Sequence, residues 1–298
     1  MIASSQENDM LKDTRANKLF MIVLVILLAL GFAWVRGEIF RGKTYRDTET
    51  IPFAQGDSLF VSTTTHPIVL EIDPEATAVS LEIGRIDRKQ VATAKNGSNL
   101  SIKVSPKKRV WVLPVYFGSS SSTLVVTAPP DRIKDLSLSS ISGKVTVLNS
   151  LNLSSADISS TSSKVSVLDI TADKRISLSS VSGSVDAGDL ASNGVIELSS
   201  TSGNVEVLSL QAPRITAKSV SGSVSTLLRL PSPSDVTLSS TSGRVEADLL
   251  GADDFSIDAK TTNGSIMIGG EQRSTLTKGD GSSKIALRTV SGSISVNL

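Results

Sequence analysis

The chain has 298 residues, enough for one or two domains with a real core, and only 4% of them are aromatic while Ser, Thr, Val, Ile and Leu dominate, which favours many short strands over helices. Its 30 Lys and Arg against 29 Asp and Glu leave a formal charge of +1, without the basic excess a nucleic-acid binder carries. Having no cysteine and a single histidine, His66, it lacks the parts for disulfides, thiolate catalysis and cysteine zinc sites, and for most Ser-His or histidine-metal schemes.

In chain order, residues 1–18 read as a cytoplasmic tail. Residues 19–35, LFMIVLVILLALGFAWV, are 17 uncharged and mostly apolar residues between Lys18 and Arg36, the length of a short transmembrane helix with Trp34 as interfacial anchor. A cleaved signal peptide, with Gly31 and Ala33 before the cut, is the competing reading. Basic residues flank both ends, so orientation rests on the short tail preceding a large domain. The expected arrangement is a single-pass protein of the cell membrane with its C-terminal domain extracytoplasmic. Residues 36–54 read as a linker.

Residues 55–130 carry strand-like stretches, among them LFVSTTTHPIVLEI and RVWVLPVYF, and read as a divergent β section and N-terminal cap, or else as a separate small β domain. VSTTTHPIVLEI aligns loosely with the later LSSTSGNVEVL, which places His66-Pro67 at a corner rather than at a catalytic or metal site. In KKRVWVLPVYF, Lys107, Lys108, Arg109 and Trp111 form a candidate lipid contact, against core packing of the aromatic rings.

From 131 to 298 the sequence repeats. Gly143, Ser163, Gly183, Gly203, Gly222, Gly243, Gly264 and Gly292 share one column at intervals of 20, 20, 20, 19, 21, 21 and 28 residues, the spacing of a solenoid. Aliphatic residues stand seven and five positions before this column and two after it (Ile196, Leu198 and Val205 in one unit), with polar residues between, which is the alternation of half-buried strands. Each unit is therefore strand, corner, strand and return. The corner glycine needs either a positive φ or the absence of a side chain, and Ser163 marks a deviant corner. Three positions before the corner runs a column of hydroxyls, Ser140, Ser160, Ser180, Ser200, Ser219, Ser240, Thr261 and Thr289, which the alternation points inward. Unpaired, each would cost about 1–3 kcal/mol, so they read as a structural ladder bonded to neighbouring hydroxyls or corner backbone. The fold class is all-β: a parallel β-helix, or β-solenoid, of coils near 20 residues, right-handed by the rule for parallel crossovers. Residues 269–284 read as a polar loop or hairpin closing the C-terminal end.

A membrane segment followed by tandem units of the form of LSSVSGSVDA resembles the bacterial putative-adhesin family of unknown function, which includes the membrane-anchored accessory protein of some Gram-positive cell-envelope stress operons. The resemblance covers about residues 50–298 and implies an envelope-located β-helix, adhesive or tied to envelope stress, with no catalytic residues to carry over.

Asp186 and Glu206, one coil apart on an outer face, are the one carboxylate pair near a retaining-glycosidase spacing, but no histidine, aromatic platform or basic cluster joins them. GDG at 279–281 occurs once, unlike a repeated calcium motif, and Asp253-Asp254 is an isolated acidic pair. Outward hydroxyl pairs such as Ser137 with Ser139 and Ser177 with Ser179 offer a polar contact surface, while Asp157, Glu197, Lys218, Lys260 and Arg288 break any flat ice-ordering plane. The expected function is a non-enzymatic, cofactor-free and metal-free adhesin or envelope scaffold. Its partners are the membrane and a wall glycan or an envelope protein, and not nucleic acid. The alternatives are an accessory regulator of envelope-stress signalling and an enzyme acting on polysaccharide.

Overall fold

The computed structural model describes residues 46–298, apart from 85, 87, 106–121, 232 and 252. The tail 1–18, the apolar segment 19–35 and the candidate lipid contact at Lys107, Lys108, Arg109 and Trp111 lie outside the described residues. Among the described residues no helix is long and apolar enough to cross a membrane.

Among the described residues every element but one three-residue 3-10 turn, Arg88–Gln90, is a strand, and the strands join into one sheet wound on itself. A first face stacks Ile133–Ser140, Leu151–Ser160, Ile170–Ser180, Val195–Ser200, Arg214–Ser219 and Asp235–Ser240 in parallel, so that Leu136, Ala156, Ile176, Ile196, Ile215 and Val236 sit in register. After the corner, a second face aligns Val145, Val165, Val185, Val205, Val224 and Val245. The returns form a third, in which Leu151, Ile170, Leu190, Leu210, Leu228 and Leu249 are neighbours. All of these side chains are buried, and they form one continuous core down the axis. A one-residue slip would turn every one of them to solvent, which is why alternation fixes register so firmly.

Chain order and stacking order part at both ends. The last coil of the chain is not the last coil of the stack. Ser283–Ser291 lies between Asp235–Ser240 and Phe255–Asn263, and Ile294–Asn297 lies between Val245–Leu249 and Ile266–Ile268. The N-terminal end mirrors this: Asp57–Thr63 is held between Asn99–Val104 and Ile133–Ser140, and Ile68–Ile72 between Leu124–Ala128 and Val145–Val147. The first and last coils of the described chain are thus each clasped on both sides.

The outermost coils are closed by antiparallel strands. Thr275–Lys278 covers Phe255–Asn263, Val91–Asn96 covers Asn99–Val104, and Ala78–Gly84 covers Leu124–Ala128. These strands occupy backbone groups that an open coil would offer to another chain. Arg46–Pro52 in turn pairs with Ala78–Gly84, so the linker expected over 36–54 gives way to strand at residue 46, where alternating side chains such as Ile51 reach the core. From residue 46 on, the described chain belongs to one compact unit, and within 55–130 the strands Asp57–Thr63 and Ile68–Ile72 pair directly with Ile133–Ser140 and Val145–Val147.

Candidate functional site

The corner column is the most ordered polar feature of the molecule. Within a coil, each serine of the column accepts a hydrogen bond from the backbone N–H three residues on: Ser140 from Gly143, Ser200 from Gly203 and Ser240 from Gly243 at 2.8 Å, Ser180 from Gly183 and Ser219 from Gly222 at 2.9 Å. Between coils, it donates to the corner carbonyl of the neighbour. Ser200 donates to Gly183 O and Ser219 to Gly203 O at 2.9 Å, and Ser240 to Gly222 O at 2.8 Å. The relay follows the stack rather than the chain, since Thr289 donates to Gly243 O at 3.0 Å and Thr261 to Gly292 O at 2.9 Å. Ser180, Ser200, Ser219 and Ser240 therefore each satisfy two backbone groups that the turn leaves unpaired. Thr63 supplies a further rung, donating to His66 O at 2.6 Å beside Ser140. The partners are corner backbone groups, and hydroxyl meets hydroxyl only at this Thr63–Ser140 end.

None of the corner glycines has a positive φ. They are required by approach instead. A Cβ on Gly203 would lie 2.3 Å from Gly183 O, and one on Gly143 would lie 2.1 Å from His66 O. Ser163 shows what a side chain costs at this place. Its own corner bonds, Ser163 N–H to Ser160 and Ser160 to Gly143 O, are both 3.1 Å, and its hydroxyl turns outward to Ser142 O at 2.6 Å. His66 occupies the corner of the first coil, with Nδ1 against the Ser122 hydroxyl at 2.9 Å and the Ser122 carbonyl oxygen at 3.1 Å.

On the outer second face, Asp186, Glu206 and Glu246 line a shallow groove of about 760 Å³ together with Asn204, Leu208 and Arg244. Asp186 and Glu206 are register neighbours, but Lys164 pairs with Asp186, and Asn204 donates to Glu206 at 2.9 Å. Asp186 Oδ1 is buried without a hydrogen-bond partner. Among the described residues no group of three or more His, Asp or Glu side chains could hold a metal ion. The neighbouring corner forms a second open groove, about 440 Å³, lined by serines, threonines, Lys218, Val181 and Val220. Val181, Val220 and Ile141 are each about half exposed just past the strand ends, and Leu208 is exposed at an outward position within Val205–Gln211, a set of apolar residues that the inward pattern does not account for.

Charge chemistry concentrates in the caps. Lys95 holds the Asp57 carboxyl below its ordinary value, helped by Ala54 N–H. Arg288 does the same to Asp258 and ties the inserted coil to the outermost one at 2.6 Å. Asp253 is lowered by Lys278. Asp254 is pulled down to about 2 by a hydrogen bond from Asp280 and then by Ser282, while Asp280 is pushed up by Asp254. The acidic pair 253–254 is thus a cap fastening, and Asp254 accepts from Gly281 N–H at 2.6 Å and the Ser282 hydroxyl at 2.7 Å.

Residues 57–297 match the model of the family described as Toastrack DUF4097. No curated protein matches. Among solved structures, a putative adhesin from Bacteroides fragilis aligns with 85% of this chain and 96% of its own at TM-score 0.53 and 13% identity. A second putative adhesin, from Parabacteroides distasonis, aligns over 86% and 98% at TM-score 0.49 and 10% identity. At this identity the first of these speaks for the fold alone.

Proposed function

The chain belongs to the Toastrack DUF4097 family, and on that footing we propose that it is a non-enzymatic, adhesin-like display protein. In this reading residues 19–35 anchor it in the cell membrane and the solenoid stands outside, wound right-handed as parallel crossovers require. The observation that carries the proposal is the outer surface of the first face. Ser137, Asp157, Ser177, Glu197, Thr216 and Thr237 recur at one position per coil in unbroken register. Such a surface suits many weak contacts to an extended polymer better than it suits one reaction. The Asp186–Glu206 pair does not favour the polysaccharide-cleaving alternative, because Lys164 already neutralises Asp186.

The test uses the full-length chain in nanodiscs, sedimented with purified cell-wall sacculi. The expected result is saturable pull-down, lost when Ser139, Ser179 and Ser239 are replaced together by Arg. Failure of sacculi to carry the protein down at any concentration overturns the proposal. For the anchor, alkaline carbonate washing of native membranes is expected to leave the chain in the pellet, and release into the supernatant contradicts it.

A further inference from the structure

One side chain in each corner serves neither the core nor the hydroxyl relay: that of the residue two positions before the glycine column. In one set of coils it is a threonine, Thr161, Thr201, Thr241 and Thr262, all exposed, with half-buried Thr64 in the first coil. In the other set it is aliphatic, and Ile141, Val181, Val220 and Val290 are exposed by 53, 50, 47 and 47%.

Backbone bonds fix their order. Ile141 N–H donates to Thr63 O, Thr161 to Ser140 O, Val181 to Ser160 O, Thr201 to Ser180 O, Val220 to Ser200 O and Thr241 to Ser219 O. Val290 N–H reaches Thr241 O, and Thr262 lies beside Val290 because Thr261 pairs with Thr289 and Asn263 with Ser291. Along the stack, threonine and an aliphatic β-branched residue therefore alternate without a fault from Thr64 to Thr262. In chain order the pattern breaks, because Thr262 follows Thr241. The insertion of the last coil restores it.

A solenoid imposes a period of one coil. Nothing in its packing imposes two, and half-exposed valines are not needed to bury core. The period of two coils calls for a cause outside the chain.

We propose that this ridge binds an extended β-1,4-linked glycan lying along the solenoid axis, one sugar to each coil. The inference rests on the glycan-binding reading above and names its site and ligand class. Coils about 4.8 Å apart step at nearly, though slightly less than, the advance of one pyranose in such a chain. Successive sugars are turned over by half a revolution, so a surface following the chain meets the same face only at every second ring. Valine and isoleucine methyls lie against the apolar C–H face of one sugar, and the threonine hydroxyl meets the hydroxyl edge of the next. Exposed serines one position on, such as Ser182, Ser202 and Ser221, add hydrogen bonds along the same edge. Eight steps from Thr64 to Thr262 give a track about 38 Å long. Each contact is weak, so affinity comes from their number along one chain, as in any multivalent contact.

The test is calorimetric titration of the full-length chain in detergent with N-acetyl-chito-oligosaccharides of two, four, six and eight sugars, against α-1,6-linked dextran oligosaccharides of equal length. Affinity is expected to rise by about tenfold or more between four and eight sugars. Making the ridge uniform with Val181→Thr and Val220→Thr, exposed changes that leave the fold within about 0.5 kcal/mol, is expected to remove that gain, while Val181→Ile with Val220→Ile keeps it. Affinity that does not depend on length, that survives the threonine variants, or that is equal for dextran overturns the proposal. So does a ridge variant that dissociates a dimer without changing sugar binding, since the ridge would then be a self-contact. If sacculi still carry down the threonine variants while the oligosaccharides do not bind, the ridge falls and the adhesin reading stands. If sacculi do not bind at all, both fall.

Discussion

At the scale of the residue, the corner is a small circuit repeated down the stack. One hydroxyl accepts from its own turn and donates to the next, so removing it strands two buried backbone groups at once. Ser200→Ala is expected to lower stability by about 1–3 kcal/mol, because Gly203 N–H and Gly183 O lose their partner together. Ser199→Ala, one residue away on the outside, is expected to stay within about 0.5 kcal/mol in the same urea titration. Gly203→Ala forces a Cβ to within 2.3 Å of Gly183 O. The expected cost is about 1–3 kcal/mol of overpacking, with protection from amide exchange reduced at the two adjoining corners. The serine column was legible in sequence because strand alternation and a near-20-residue period both point it inward. The reason for the glycines was not, since a positive φ and a close approach predict the same residue. Only the ordinary backbone at Gly143 and Gly203, and the loosened bonds at Ser163, separate the two causes.

At the scale of the element, the ends decide whether the stack is closed. The C-terminal cap is fastened by Asp254, whose carboxylate takes three hydrogen bonds from Gly281 and Ser282. A carboxyl held at about 2 in the folded state adds stability that is present above its unfolded value near 3.9, and that is lost as pH falls through about 2. Asp280, raised in the fold, contributes in the opposite sense, and its share is lost as pH rises through its folded value. Protection of the Gly281 and Ser282 amides, relative to their intrinsic exchange rate at each pH, is therefore expected to fall as acid is added below about pH 4, and Asp254→Asn is expected to show that low protection already at neutral pH. Deleting residues 283–298 removes an inner coil rather than an outer one. It leaves Asp235–Ser240 and Phe255–Asn263 each with an open edge, and aggregation in sedimentation velocity is the expected outcome. The insertion was not legible in sequence. Ile257 with Ala259, and Ile285 with Leu287, present the same inward pattern to Val236 and Leu238, so either segment satisfies the core. What tells them apart is the long 269–284 connection and the antiparallel strand within it, a choice made by tertiary packing.

At the scale of the whole molecule, a repeating sequence becomes a repeating surface. Each coil contributes little core of its own, and stability accrues from contacts with its neighbours. The result is an unbroken register in which outward side chains stand at fixed steps of about 4.8 Å. The fold class was readable at once because periodicity encodes it directly. The ligand was not, because the two-coil pattern of the exposed corner residues, unbroken in chain order only as far as Thr241, runs through to the last coil only when the coils are placed in their spatial order. Glycan binding by the ridge depends on that order, and so does the closure of both ends.

Coil order is therefore the claim to test first, and the absence of native cysteine makes a direct test available. Two double variants of the full chain are oxidised in parallel: Thr237→Cys with Ala286→Cys, which are register neighbours, and Thr237→Cys with Asp258→Cys, which are separated by the inserted coil. Disulfides need Cα atoms about 4.4–6.8 Å apart, a span that one coil step meets and two steps of about 9.6 Å exceed. The account predicts rapid cross-linking of the first pair and none of the second. Cross-linking of Thr237→Cys to Asp258→Cys instead would mean that the coils stack in chain order, and would contradict it.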